Sequence, residues 1–164
     1  MFLLVNMDKR ILKKMNELAE RFFGTNEDPD QIPIGNGSLE KLQKLSPAAL
    51  TYKLEDSNPI SWVVIVPTSS DLADKFLNGK ITEKLLLDLS EPRKSYDALY
   101  LCAVFTVPEH RNKGYALEML KRGIENIPHA EKVRLFAWPY SPEGNFLIKK
   151  LEKELNLPIE LKSL

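Results

Sequence analysis

Two segments of the chain are apolar at nearly every residue instead of every second one, and they narrow the possible folds most. Trp62-Val63-Val64-Ile65-Val66 is the first, and Ala98-Leu99-Tyr100-Leu101-Cys102-Ala103-Val104-Phe105 is the second. Both are rich in aliphatic, β-branched or aromatic residues and far shorter than a membrane helix. Such runs read as strands covered on both faces, which requires a sheet flanked by helices.

The rest of the chain supplies those helices. Ile11, Met15, Leu18, Ala19 and Phe22 recur at helical spacing and predict a helix over about Asp8–Phe23, stopped at Gly24. Thr25 to Asp30 is polar, Pro33, Gly35 and Gly37 interrupt regular structure, and Ser38 is placed to N-cap a short helix through Leu45. Strands are predicted at about Ala49–Glu55 and Ile60–Pro67, joined as an antiparallel hairpin by Asp56-Ser57-Asn58-Pro59. Two short amphipathic helices fill Ser70–Ser90, the first ending near Gly79 and the second carrying Ile81, Leu85, Leu86 and Leu89. After the loop at Glu91–Lys94 come a strand to Val107, a helix (about Gly114–Asn126), a strand (about Lys132–Trp138), a helix (about Pro142–Leu155) and a short strand near Pro158–Lys162. This order predicts one mixed α/β (α+β) domain over 1–164, with a helical part over 1–48 and a sheet core over 49–164.

Composition removes several functional classes. Lys and Arg number 23 and Asp and Glu 23, so there is no basic excess for neutralising nucleic-acid phosphates or holding an anionic membrane. One cysteine and two histidines give no internal disulfide and no thiolate metal cluster, and argue against an all-protein zinc site. The apolar start Phe2-Leu3-Leu4-Val5 is too short for a signal peptide and lacks a basic flank. The expectation is a cytoplasmic protein acting as a monomer or homodimer, without metal, nucleic acid or membrane.

Chemistry concentrates where the second apolar strand ends. Pro108 closes the strand, Arg111, Asn112, Lys113 and Gly114 form a polar turn, and a helix with Leu117, Leu120 and Ile124 on one face follows. A helix entered this way exposes unpaired backbone N–H groups at its positive end, where an anion fits. Gly114 allows close approach of the backbone, small Ala116 leaves the helix start uncrowded, and Arg111 and Lys113 add charge.

Val107-Pro108-Glu109-His110-Arg111-Asn112-Lys113-Gly114-Tyr115-Ala116 resembles motif A of the GNAT acetyltransferase superfamily, Arg/Gln-x-x-Gly-x-Gly/Ala between a strand and a helix. The resemblance extends to the order of elements from about Ala49 onward. It implies a mixed, mostly antiparallel twisted sheet flanked by helices, with a cofactor motif over 98–126. It also implies acetyl-CoA as co-substrate, its pyrophosphate on the turn from Arg111 to Ala116 (Arg111, Asn112, Lys113, Gly114, Tyr115, Ala116). The pantetheine arm would pair with the strand end Phe105, Thr106 and Val107, with the next strand splayed away. The implied activity is acetyl transfer to a primary amine of a small molecule or peptide by direct attack; the alternative is a non-catalytic acyl-CoA-binding or regulatory domain.

Beyond the turn the likeness thins. Ser141, Pro142 and Glu143 open the last long helix with good capping chemistry, and Asn145 matches an asparagine that commonly touches the cofactor. No tyrosine occurs within that helix, where many relatives carry their general acid; Tyr140, just before it, is the candidate, with an aromatic lid as its other reading. Asn156-Leu157 stands where the family has Gly-Phe. Asp97, Glu55 and Asp56 are available carboxylates, but spacing singles out none as base. Cys102 reads as a small buried hydrophobe, His110 as solvated or a phosphate contact, and His129 as a loop residue without a visible partner. The insert of about 25 residues over 70–94 is unusual for the family. It reads first as packing, with an edge cap, a cleft wall or a dimer contact as its other readings.

Overall fold

In the computed structural model, residues 9–23 and 36–163 are described, so Phe2–Val5, Gly24 and the stretch through Gly35 lie outside the described residues. Five strands lie side by side in chain order: β1 (Leu50–Glu55), β2 (Asn58–Thr68), β3 (Tyr96–Thr106), β4 (His129–Ala137) and β5 (Ile159–Leu161). β1, β2 and β3 pair antiparallel; β3, β4 and β5 pair parallel. The sheet is thus mixed as expected but not mostly antiparallel: two pairings are of each kind, because β4 and β5 each follow a helix and run parallel to the strand before them, with the longer registers in the antiparallel half. The helices are α1 (Lys9–Phe23), α2 (Asn36–Leu45), α3 (Ser70–Leu77), α4 (Glu83–Leu89), α5 (Tyr115–Asn126) and α6 (Pro142–Leu155).

Local chemistry sets most boundaries. Ser141 Oγ accepts the Gly144 N–H at 3.0 Å, with Pro142 at the first helical position, and Asn156 closes α6 in the left-handed conformation at φ 54°. Ser69 and Thr82 cap α3 and α4 through the N–H groups of Leu72 and Leu85. Several boundaries differ from the sequence reading; β2 opens at Asn58, so Asn58 and Pro59 of the expected turn belong to the strand, and β3 opens at Tyr96. α2 begins at Asn36, which puts Gly37 and Ser38 inside its first turn, so Ser38 is not the cap. β4 begins at His129, because that residue pairs across the sheet with Tyr96, and it ends at Ala137. His129 is therefore a strand residue, its Nδ1 3.0 Å from the Ala130 carbonyl.

Helices cover both faces. A Cβ added at Gly123 of α5 would lie 2.7 Å from Ile65 Cδ1 and 3.7 Å from Val63 Cγ2, so α5 packs closely on the face carrying those residues. Alternation puts Trp62, Val64 and Val66 on the other face. There Phe76 of α3 packs on Tyr100, the partner of Val66, at 4.7 Å between ring centroids. The insert thus lies over the sheet. Phe76, Leu86 and Leu87 are fully buried while Leu85 and Leu89 are exposed, which is a packing role; each buried side chain contributes roughly 1.5–3 kcal/mol. Arg134 of β4 ties the insert down, with two hydrogen bonds to Glu160 (2.9 and 2.8 Å), an ion pair to Asp74 (2.9 Å) and a bond to the Ser70 carbonyl (3.2 Å).

β3 has one irregularity that shapes the site. Val64 pairs with Ala103 and Ile65 with Leu101, so Cys102 is an extra residue, a β-bulge. The last β3–β4 pair is Leu101 with Ala137. Among the described residues, β3 from Cys102 to Thr106 therefore has β2 on one side and no strand on the other.

Candidate functional site

The open edge of β3 is the starting point. The Val107 N–H donates to the Ile60 carbonyl at 2.9 Å, and Ser61 Oγ donates to the Phe105 carbonyl at 3.1 Å. Antiparallel pairing alternates the direction of backbone groups, so Phe105 and Val107 turn theirs toward β2, and Val104 and Thr106 turn theirs to the open side. Phe105 is moreover a core residue, its ring 4.7 Å from that of Trp62. Of the three residues expected to meet an extended ligand, only Thr106 faces the edge, and Val104, which sequence reasoning passed over, joins it.

Beyond the edge, Pro108–His110 forms one 3-10 turn and the chain then enters α5. Asn112 and Gly114 both take the left-handed conformation, at φ 65° and 80°. No side chain caps α5, and its first internal bond runs from the Glu118 N–H to the Gly114 carbonyl at 3.0 Å. The N–H groups of Tyr115, Ala116 and Leu117 precede that bond and have no helical partner. A Cβ at Gly114 would meet nothing within 4 Å, so open space lies before the turn and backbone conformation alone calls for glycine. Arg111, Asn112 and Lys113 are exposed around it, and Arg111 Nε donates to the Thr106 carbonyl at 3.0 Å. Tyr115 points elsewhere: Lys53 Nζ sits 4.9 Å above its ring, on the β1 side.

α6 opens at the same end of the sheet, since β3 and β4 are parallel and each leads into a helix. The Asn145 amide donates to the Ser141 carbonyl at 3.1 Å, within its own first turn. Tyr140 is 58% exposed and lies 5.0 Å from the Trp138 ring, at the point where β4 has left the sheet. It is near enough to Tyr100 to act on it: burial, then Cys102, Glu83 and Tyr140 all hold the Tyr100 phenol above its ordinary pKa.

The expected carboxylates are placed apart. Asp97 is at the far end of β3, bound to Arg93 at 3.1 Å. Glu55 pairs with His110 Nε2 at 3.2 Å, and His110 Nδ1 is buried with no partner among the described residues. His110, expected to be solvated or a phosphate contact, is half-buried in the wall of a cleft of about 510 Å³, lined also by Lys14, Glu17, Arg21 and Asp56.

Sequence reasoning missed Glu83. It is buried in the insert, accepts the Tyr100 hydroxyl, and has Cys102 Sγ 4.0 Å from the same oxygen. Burial and Glu83 together push the Cys102 thiol well above its ordinary pKa. The available signal was an acidic residue at i before Leu86 (i+3) and Leu87 (i+4), on an apolar helix stripe.

No family model matches the sequence, and no curated protein matches it.

Proposed function

We propose that the protein is an acetyl-CoA-dependent N-acetyltransferase of the GNAT type that acetylates a primary amine. One observation carries this reading: a strand edge with no neighbouring strand among the described residues leads, through one 3-10 turn, into a glycine turn at an uncapped helix N-terminus. An acyl-CoA is an extended diamide arm attached to a pyrophosphate, and the two parts of the site match the two parts of that molecule. Val104 and Thr106 offer backbone groups for strand-like pairing. The N–H groups at the start of α5, with Arg111 and Lys113, offer an anion site. The bound thioester supplies an activated acetyl group. Tyr140, exposed beyond the end of β4, would donate a proton to the departing sulfur.

Thermal unfolding with CoA tests the reading. At about 100 times its Kd, CoA stabilises by about 2.7 kcal/mol, on the order of 5–10 °C for a chain of this length. Arg111→Glu is expected to remove the shift and leave the ligand-free melting point within a few degrees. No shift at millimolar CoA or acetyl-CoA overturns the proposal. A second reading, a CoA-binding module without activity, is favoured by the absence of tyrosine from α6; a CoA shift without thiol release from acetyl-CoA across a panel of amines would select it.

A further inference from the structure

His110 sits between the two parts of the proposed site. Its N–H donates to the Val107 carbonyl at 2.9 Å, and the next N–H, that of Arg111, donates to the Pro108 carbonyl at 3.3 Å. The ring packs near the start of α5: its centroid lies 6.1 Å from that of Tyr115, whose N–H is one of the unbonded donors at that helix end. Its Nε2 is 3.2 Å from Glu55 Oε2, at the end of β1. An acceptor there fixes the neutral tautomer, with the proton on Nε2 and a lone pair on Nδ1. Nδ1 is buried and has no partner among the described residues. The ring still exchanges with solvent, because its side chain is 18% exposed and forms part of the cleft wall. As a strap the pair is weak, since Glu55 is largely exposed and exposed ion pairs stabilise little. The charge on the imidazole has a larger consequence, because the anion turn begins at the next residue.

We infer that binding of the pyrophosphate at the α5 turn takes up a proton at His110, so that the site holds its ligand more tightly as pH falls through the range in which histidine titrates. The inference rests on the acyl-CoA reading above. Histidine changes charge between about pH 5 and 8. Protonation leaves Nε2–H bonded to Glu55 and adds a second N–H at Nδ1. Charges from every neighbouring element set the balance. Glu55 of β1, Asp56 of the hairpin turn, Glu109 of the same 3-10 turn and Glu17 of α1 favour the imidazolium. Lys14 and Arg21 of α1 oppose it across the cleft, as do Arg111 in the turn and Lys53 above the Tyr115 ring, the last tempered by its partner Glu118 of α5. The unpartnered Nδ1 opposes it as well. A pyrophosphate on the turn adds negative charge to the favouring side. Linkage makes the effect reciprocal: a ligand that favours the imidazolium binds better where the imidazolium is already formed.

The probe is dephospho-CoA, which keeps the pyrophosphate and lacks the phosphate monoester whose own titration near pH 6 would mask that of the protein. Isothermal titration compares wild type, His110→Gln, Glu55→Gln and a His129→Gln control across about pH 5.5–8.5. Each pH is measured in two buffers of different ionisation enthalpy, which gives the number of protons taken up as well as the affinity. Wild type is expected to bind on the order of three- to tenfold more tightly at the acid end, with uptake of a fraction of one proton within the range. His110→Gln keeps a donor for Glu55; it is expected to show a flat profile at the affinity wild type has at alkaline pH, and no proton uptake. Glu55→Gln removes a carboxylate that favours the imidazolium, so its profile moves to lower pH. His129 pairs with Tyr96 at the opposite end of β3, and His129→Gln should keep the wild-type slope; loss of the slope there overturns the inference. A flat wild-type profile overturns it, as does a His110→Gln protein that keeps the slope or weakens equally at every pH, the mark of a merely structural role. Should His110→Gln not fold, Glu55→Gln decides: a shifted profile supports the inference and an unmoved one overturns it. Binding without proton uptake leaves the cofactor site standing and removes only this inference; a wild type that binds neither CoA nor dephospho-CoA at millimolar concentration removes the underlying reading as well.

Discussion

Arg111 Nε reaches back to the Thr106 carbonyl, so the first basic residue of the turn is bonded to the strand end it has just left. The guanidinium thereby holds the open edge of β3 and the mouth of α5 in one arrangement. An extended ligand pairing with Thr106 shares that carbonyl, and the guanidinium is a planar fork of several donors in fixed geometry. Lysine has the charge without the fork. Arg111→Lys is expected to leave the ligand-free melting point within about 2 °C while weakening CoA on the order of tenfold, which isothermal titration at fixed salt measures.

Gly114 makes a separable prediction. Its φ of 80° and the empty space around it mean that Gly114→Ala loses conformational energy and no packing. Chemical denaturation is expected to show a loss of about 1–2 kcal/mol. Gly114→Asn should lose less, because asparagine tolerates the left-handed region that Asn112, two residues earlier, already occupies.

The Cys102 and Tyr100 shifts predict a direction of pH dependence. Both groups are acids whose folded pKa lies above the ordinary values of 9.0 and 10.0. An acid held protonated in the fold stabilises it fully below its unfolded pKa, and that stabilisation is lost as pH rises through the folded value. Urea midpoints are therefore expected to hold steady near neutral pH and fall above about pH 8.5. Cys102→Ala should flatten the first part of that fall.

Arg134 is the junction between insert, β4 and β5. Arg134→Ala is expected to cost about 1–3 kcal/mol, as befits charge-assisted bonds at a partly buried site. Hydrogen exchange should show faster opening in α3 and β5 than in α5, which packs on the other side of the sheet.

The elements were legible because their signals are local. A helix stripe such as Leu147, Ile148 and Leu151, the Ser141-Pro142 start and the Asn156 stop each lie within a few residues of what they specify. The glycine turn was legible for the same reason. The misplaced features depend on distant partners. His129 belongs to β4 only because Tyr96 lies opposite, and Thr106, instead of Phe105 or Val107, faces the edge only because of the register with Ile60. Glu83 meets Tyr100 and Cys102 across 17 and 19 residues, after α4 has folded over the sheet. A single acidic residue on a leucine-rich stripe signals a conflict with burial; which groups resolve it is decided by tertiary structure.

The bulge at Cys102 puts the two halves of β3 out of phase. Tyr100 and Phe105 are an odd number of residues apart, yet they lie opposite Val66 and Trp62, which share one face of β2. Even-numbered residues point into the insert side before Cys102, and odd-numbered residues do so after it. No substitution can change that parity, because it is a property of chain length and not of side-chain identity. Removing one residue between Leu101 and Ala103 would turn either the Tyr100 half or the Phe105 half inside out. This stretch of the strand can tolerate changes of spelling far better than a change in its letter count.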